Sequence, residues 1–94
     1  MKVIWTALAR DERAAIIAHI ASDNPRAALR MDERFSDGAS RLERHPKIGR
    51  PGKVTGTREL IPHESYRLVY EIDGDTVSIL TLIHTSRLWP PLRE

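Results

Sequence analysis

Apolar and polar residues alternate along the last third of the chain with the period of a β-strand. The stretch YRLVYEIDGDTVSILTLIH, residues 66–84, contains two such runs on either side of Asp73 and Gly74. An Asp-Gly pair favours a two-residue turn in which both positions adopt positive φ. The pattern therefore predicts a β-hairpin in which Leu68 faces Ile79.

Alternation divides the side chains of this hairpin between two faces. The apolar face is expected to cover the core: Tyr66, Leu68, Tyr70, Ile72, Val77, Ile79 and Ile83. The other face is mixed: Arg67, Val69, Glu71, Ser78, Leu80, Leu82 and His84. A face that mixes aliphatic with charged side chains is typical of a surface that a partner covers. The alternative is a salt bridge from Arg67 to Glu59 or Glu71 across a partly shielded sheet.

The first half of the chain has the period of a helix. KVIWT, residues 2–6, predicts a first strand, and Thr6 is suited to cap a helix over residues 7–23. A second helix is predicted to begin at Asn24 and Pro25, as the N-cap and the first helical position. Its apolar stripe recurs at steps of three or four: Ala28, Met31, Phe35, Ala39 and Leu42. The short connection between the two helices favours an antiparallel helical hairpin.

The segment HPKIGRPG, residues 45–52, ends the second helix with two prolines and two glycines. The overlapping stretch GRPGKVTG, residues 49–56, lacks the spacing of a phosphate-binding loop, so we expect a mobile loop that positions Arg50 and Lys53. TRELI, residues 57–61, predicts a further strand. The resulting order is β-α-α-β-β-β. We therefore expect a single α+β domain over residues 1–94, with an N-terminal edge strand and a helical hairpin packed on a twisted antiparallel sheet.

Composition excludes several classes of protein. The chain is 40% hydrophobic, and it contains no apolar run near the roughly 20 residues that span a bilayer. It also lacks the apolar segment of a secretory signal, so we expect a cytoplasmic protein. It has no cysteine, and its four histidines lack a metal-ligand spacing, so neither a metal nor another cofactor is expected.

The charged residues are unusually rich in arginine. The formal net charge is +2, and 12 of the 15 cationic residues are Arg. Arginine suits bidentate contact with carboxylate or phosphate, although a GC-rich genome also favours it. The composition therefore leaves both protein and nucleic-acid partners open.

Five stretches together resemble one known family. VIWTALARDE, DNPRAALRM, RHPKIGRPGKVTGTREL, YRLVYEIDGDTVSILTLIH and TSRLWP occur in this order over nearly the whole chain. The sequence is similar to the RelE/ParE superfamily of toxins from bacterial type II toxin–antitoxin modules. The resemblance implies a helical hairpin against a twisted antiparallel sheet. It also implies a growth inhibitor, with a role such as plasmid stabilisation, that a cognate antitoxin neutralises by wrapping it with an extended segment.

The resemblance leaves two targets open. RelE-like toxins cleave mRNA on the ribosome, and ParE-like toxins poison DNA gyrase. If the chain is RelE-like, the resemblance implies the catalytic residues Arg67, His84 and Arg87. Arg58 then occupies the position of a strand lysine. Leu60 stands where a second basic residue is expected, however, and Arg93 stands where a tyrosine is expected.

These departures favour the ParE-like alternative, in which the same surface binds a target or the antitoxin. The expected contact residues are Arg58, Arg67, Leu80, Leu82, His84, Arg87 and Trp89. A third hypothesis is a non-toxic partner of a DNA-binding antitoxin. In each case we expect Arg67 to lie on the open sheet face and to be unnecessary for folding, so that Arg67→Ala folds normally.

Overall fold

The computed structural model describes residues 1–91, so the expectation for Arg93 lies outside the described residues. The elements are β1 (Lys2–Trp5), α1 (Ala7–Ala21), α2 (Pro25–Arg44), β2 (Arg50–Pro51), β3 (Thr57–His63), β4 (Tyr66–Asp73) and β5 (Thr76–His84). This order confirms the predicted α+β arrangement and adds the two-residue strand β2.

Both helices begin at the predicted caps. The Thr6 hydroxyl accepts the Ala9 N–H at 3.2 Å, and the Asn24 side chain accepts the Ala27 N–H at 3.1 Å. Each bond satisfies a backbone donor that has no partner within the helix. The helices pack against each other, and Arg13 on α1 donates to the Asp32 carboxylate on α2 at 2.9 Å.

The five strands form one sheet in the order β1-β5-β4-β3-β2. β3, β4 and β5 form the predicted antiparallel meander, and β1 lies at an edge as expected. β1, however, runs parallel to β5, so the sheet is mixed and not purely antiparallel.

The core lies between the helical hairpin and one face of the sheet. Its buried residues are Ala9, Phe35, Leu42, Leu60, Leu68, Tyr70, Val77, Ile79 and Leu82. α2 approaches β3 closely at Gly38, where an added Cβ would lie 3.2 Å from the Pro62 side chain. This contact explains a glycine in the middle of a helix, where it costs about 1 kcal/mol against alanine.

The register of the β4–β5 hairpin differs from the prediction. Asp73 pairs with Thr76, so the two turn residues are Gly74 and Asp75, and only Gly74 has positive φ, at +61°. Glycine at the first turn position with positive φ there alone is the pattern of a type II′ turn. The predicted Leu68–Ile79 pair is therefore wrong.

A β-bulge shifts the pairing a second time. Tyr70 pairs with Ile79 but Val69 pairs with Thr81, which leaves Leu80 as the extra residue on β5. A one-residue shift moves every later side chain to the other face of a sheet. Leu68 consequently faces Leu82.

The bulge reverses the face assignments at the end of β5. Leu82, predicted on the open face, lies in the core and is 1% exposed. His84 pairs with Tyr66 on the helix side, and Ile83 pairs with Arg67 on the open face. Arg67 and His84 therefore lie on opposite faces, whereas the uninterrupted alternation predicted one shared face.

Neither helix in residues 1–91 is long and apolar enough to cross a membrane.

Candidate functional site

Arg67 forms a buried ion pair on the open face of the sheet. Its Nη1 lies 3.3 Å from Oε1 of Glu59 on the neighbouring strand β3, and the two side chains are 11% and 4% exposed. Arg50 contacts the same carboxylate oxygen at 3.2 Å from the sheet edge. Of the two interpretations that the sequence allowed, the structure favours the salt bridge with Glu59.

The Arg67 guanidinium also holds the segment that follows β5. It donates to the backbone carbonyl of Thr85 at 3.5 Å and to the carbonyl of Arg87. Most of its hydrogen-bonding capacity is therefore directed into the protein. Arg67 lies on the open face as expected, but its guanidinium is directed into the protein. Its removal would leave the buried Glu59 carboxylate with only the exposed Arg50 as a partner, so this geometry does not agree with the expectation that Arg67 is unnecessary for the fold.

Arg58 lies on the other face of the sheet. It pairs with Tyr70 in the β3–β4 ladder, and its Nη1 donates to the carbonyls of Gly49 at 2.8 Å and Lys47 at 3.3 Å. Arg58 and Arg67 thus point away from each other across the sheet. The two cations do not converge on one site.

The loop between α2 and β2 is fixed to the sheet by Tyr70. The tyrosine hydroxyl accepts the Gly49 N–H at 2.9 Å and donates to the Pro46 carbonyl at 2.7 Å. An added Cβ on Gly49 would lie 2.7 Å from that hydroxyl, so this close approach requires glycine. The start of the loop that was expected to be mobile is therefore anchored at Gly49.

Burial raises the pKa of the Tyr70 hydroxyl above its ordinary value. The Gly49 hydrogen bond and the positive charge of Arg58 act in the opposite direction. The neutral hydroxyl is therefore the form that the folded protein favours.

A groove runs between α1 and the end of β5. It has a volume of about 340 Å³ and is lined by Glu12, Ala15, Ile16, His19, Tyr66, Leu82, Ile83, His84 and Arg87. The His84 ring meets the Tyr66 ring edge-on, with centroids 5.5 Å apart. Its Nδ1 accepts the Ser86 N–H at 3.1 Å and lies 2.8 Å from the Ser86 hydroxyl, which orients the exposed imidazole.

A second groove continues from the first along the same edge. Its volume is about 560 Å³, and its lining is Leu8, Glu12, Thr81, Ile83, Arg87, Leu88, Trp89 and Pro91. Glu12, Ile83 and Arg87 line both grooves. Leu8 is 59% exposed and Leu88 is 50% exposed, so this end of the molecule presents aliphatic surface next to charge.

Glu12 organises the edge of β5 beyond the end of β1. Its carboxylate accepts the Thr81 hydroxyl at 2.7 Å and the Leu82 N–H at 3.1 Å. Nothing in the sequence indicates this role, because the partners are 69 and 70 positions away and Glu12 lies in an ordinary helical pattern. It is the main groove residue that sequence reasoning missed.

The structure brings together only part of the predicted contact set. His84, Arg87 and Trp89 line the two grooves. Leu80 lies half-buried at the bulge, where its carbonyl accepts the Thr6 hydroxyl at 3.2 Å. Leu82 forms the groove floor and offers almost no accessible surface. Arg58 and Arg67, described above, lie elsewhere.

Comparison with known proteins identifies the family. A profile described as the ParE toxin of the parDE type II toxin–antitoxin system matches residues 3–89. The chain belongs to this family of ParE toxins. Over 90 residues it is 37% identical to the candidate toxin Y4kP of Sinorhizobium fredii, with 95% of this chain and 93% of the relative covered.

Two further similarities extend over most of the ParE chain. It is 33% identical over 87 residues to Toxin RelE2 of Caulobacter vibrioides, which covers 93% of this chain and 98% of that protein. A structure described as a chromosomal ParDE system from P. aeruginosa superposes with a TM-score of 0.78 at 24% identity, covering 89% of this chain and 95% of that chain. At this identity the structural match establishes the shared fold.

Proposed function

We propose that the chain inhibits bacterial growth by poisoning DNA gyrase and that a cognate antitoxin neutralises it in the cytoplasm. Membership of the ParE family supports this proposal. Gyrase poisoning requires a surface that binds the target and does not require a catalytic group. Our proposed contact residues are the exposed His84 and Arg87 and the half-buried Trp89, which line the two grooves.

The observation that most directly supports a binding role is that the groups needed for RNA cleavage lie apart in this structure. Cleavage requires cations and an acid or base around one phosphate. Arg67 lies on the open face with its guanidinium on Glu59, whereas His84 lies on the helix side. Arg58 is committed to loop carbonyls. This arrangement favours a binding role over a nuclease.

The grooves also support an antitoxin as partner. They combine aliphatic side chains with one carboxylate, one guanidinium and two exposed histidines, His19 and His84. An extended peptide segment can place apolar side chains in such grooves and pair its charges at their rim. We propose that the antitoxin covers Arg87 and Trp89 and thereby blocks the target surface.

Controlled expression in a bacterial host tests the proposed target. We expect filamentation and gyrase-linked DNA breaks with intact mRNA, and co-expression of the cognate antitoxin should abolish both. Ribosome-dependent mRNA cleavage without DNA breaks would contradict gyrase poisoning. Normal growth of the host at full expression would indicate the non-toxic partner of a DNA-binding antitoxin.

Arg87→Ala provides the matched test of the groove. Its side chain is exposed, so the substitution should change the free energy of unfolding by less than about 0.5 kcal/mol. We expect it to reduce DNA breakage at least tenfold, and His84→Ala to do the same. Arg26→Ala removes an equally exposed arginine from the start of α2 and should leave DNA breakage unchanged. Equal breakage by Arg87→Ala and wild type would contradict the proposed surface.

A second candidate function is ribosome-dependent mRNA cleavage. The observation that favours it is the 33% identity to a relative named Toxin RelE2. Under this alternative, Arg67, His84 and Arg87 would act in catalysis with the ribosome or mRNA as partner. The same expression experiment separates the two candidates, because only one of them predicts intact mRNA.

A further inference from the structure

The positive charge of the chain is concentrated in one continuous stretch. Residues 41–58, here called the basic segment, contain six cations and a single carboxylate, Glu43. The remainder of the chain has nine cations and twelve carboxylates. A net charge of +2 therefore conceals a basic segment of +5 and a remainder of −3. The six cations are Arg41, Arg44, Lys47, Arg50, Lys53 and Arg58.

Most of these cations are exposed and not neutralised. Five of the six residues are exposed, and Arg58 is half-buried. Within residues 1–91, only Arg50 of this set has a carboxylate within 4 Å, and its side chain remains 63% exposed. The other exposed cations keep their full charge toward solvent.

The basic segment is held in a defined shape. Tyr70 binds Gly49 and Pro46, and Arg58 binds the carbonyls of Lys47 and Gly49. β2 pairs with β3 at the sheet edge. A surface that is already ordered loses less entropy when it binds than a flexible charged tail does. The cations are therefore presented on a preorganised edge.

The basic segment is also separate from the two grooves. β2 lies at one edge of the five-stranded sheet, and the grooves lie beside β5 and α1 near the other edge. Four strand spacings separate β2 from β1, which is about 19 Å. None of the residues lining the two grooves belongs to the basic segment. A partner seated in the grooves would leave this charge free.

We infer that the basic segment binds the phosphate backbone of duplex DNA. Clustered, exposed cations fit a regularly spaced polyanion, whereas a bound peptide also needs anchors for its side chains. The choice of duplex DNA among polyanions rests on the proposed function, because gyrase holds duplex DNA. The basic segment would then contact DNA while the grooves contact the target protein.

Binding of the purified chain to a duplex of about two helical turns, titrated from about 50 to about 200 mM salt, tests this inference. The variant Arg41→Gln/Arg44→Gln removes two exposed arginines from the end of α2. The matched control, Arg26→Gln/Arg30→Gln, removes two exposed arginines from the start of the same helix. Along the helix axis, the second arginine of the control pair, Arg30, lies about 21 Å from the second arginine of the basic-segment pair, Arg44.

We expect the two variants to differ although they carry the same net charge. Each lost phosphate contact reduces the slope of log K against log salt by about 0.9, so the basic-segment variant should lose about 2 in slope and about tenfold in affinity. Lys47→Gln/Lys53→Gln should repeat this loss, and the control should retain the wild-type slope. Circular dichroism of each variant verifies the fold.

Three results would overturn the inference. The first is that the control variant loses as much affinity and slope as the basic-segment variant. The second is that both basic-segment variants bind the duplex as tightly as the wild type does. The third is preferential binding, through the same residues, of a polyglutamate peptide or a single-stranded RNA. Gyrase trapping by the wild type is assayed separately. Trapping without segment-dependent DNA binding overturns this inference alone, and segment-dependent DNA binding without trapping contradicts only the proposed function.

Discussion

Arg67 and Glu59 form the most deeply buried of the ion pairs within residues 1–91. Burying two charges costs solvation energy, and their mutual attraction offsets that cost only while both are present. Glu59 retains a second partner in Arg50, but that arginine approaches from solvent. The pair therefore holds β3, β4 and the segment after β5 in one arrangement.

Arg67→Ala should destabilise the fold by about 3 kcal/mol, because it leaves the Glu59 carboxylate buried with only the exposed Arg50 beside it. Urea denaturation measures the loss. Arg50→Ala acts on the same carboxylate from an exposed position and should cost less than about 1 kcal/mol. The double variant Arg67→Met/Glu59→Leu should recover much of the stability. If Arg67→Ala were as stable as the wild type, the expectation from the sequence that Arg67 is unnecessary for folding would be correct.

Tyr70→Phe should cost about 2 kcal/mol of unfolding free energy. The substitution leaves the buried Gly49 N–H without its acceptor and the Pro46 carbonyl without its donor. Tyr66→Phe is the matched control, because the Tyr66 hydroxyl makes no hydrogen bond in the described part of the chain. Equal midpoints of the two variants in urea would show that the anchored loop contributes nothing to stability.

The raised pKa of Tyr70 has a consequence at alkaline pH. When the pKa of a tyrosine is higher in the folded than in the unfolded state, the unfolded state loses its proton first as the pH rises. The contribution of Tyr70 to the free energy of unfolding is therefore complete below the ordinary pKa of about 10 and is lost as the pH rises above it. The stability difference between wild type and Tyr70→Phe should therefore shrink as the pH rises above about 10. A difference that stays constant over this range would contradict the assignment.

At the scale of elements, the helices follow from local sequence and the hairpin register does not. The caps at Thr6 and Asn24 and the apolar stripe of α2 are short-range signals, and the structure confirms them. The bulge at Leu80 depends on the simultaneous contacts of β5 with β4, with Thr6 after β1 and with Glu12 on α1. The alternation of apolar and polar residues does not indicate such a bulge, because these contacts come from residues distant in sequence.

The same bulge limited the prediction of the candidate site. The sequence located His84, Arg87 and Trp89 near the end of β5, and these residues do line the grooves. The grouping of Arg67 with His84 failed because one extra residue inverted every side chain after it. The burial of Leu82 has the same cause.

Deletion of Leu80 tests the importance of the bulge. It would remove the unpaired residue while Val69 keeps Thr81 and Leu68 keeps Leu82 as partners, so Leu82 should stay in the core. The deletion also removes the Leu80 side chain and the carbonyl that accepts the Thr6 hydroxyl, so we expect a folded variant that loses about 2 kcal/mol in thermal melts followed by circular dichroism. Leu80→Ala keeps the bulge and removes only a half-buried side chain, so it should cost about 1 kcal/mol. A deletion variant that does not fold would show that the bulge itself is needed to fit β5 against β1 and α1.

At the scale of the molecule, two different surfaces occupy opposite edges of the sheet. The grooves beside β5 combine aliphatic and charged side chains, and the charge of the basic segment at β2 is almost entirely positive, with Ile48 and Val54 exposed between its cations. The family resemblance indicated three groove residues, His84, Arg87 and Trp89, but it indicated neither the shape of the grooves nor the basic segment, because both depend on which strands form the sheet edges. A near-zero net charge likewise gave no indication of the asymmetry.

The parallel pairing of β1 with β5 also determines when the fold can be completed during synthesis. β5 is flanked by β1 and β4, yet it is the last of the five described strands to be synthesised. During synthesis the first strand has no neighbour to pair with, and the core lacks Val77, Ile79 and Leu82. Pairing over such a sequence separation is slow as well as late. We therefore expect a growth inhibitor with this topology to be harmless as a nascent chain, which gives a newly made antitoxin time to meet it before it has a finished surface.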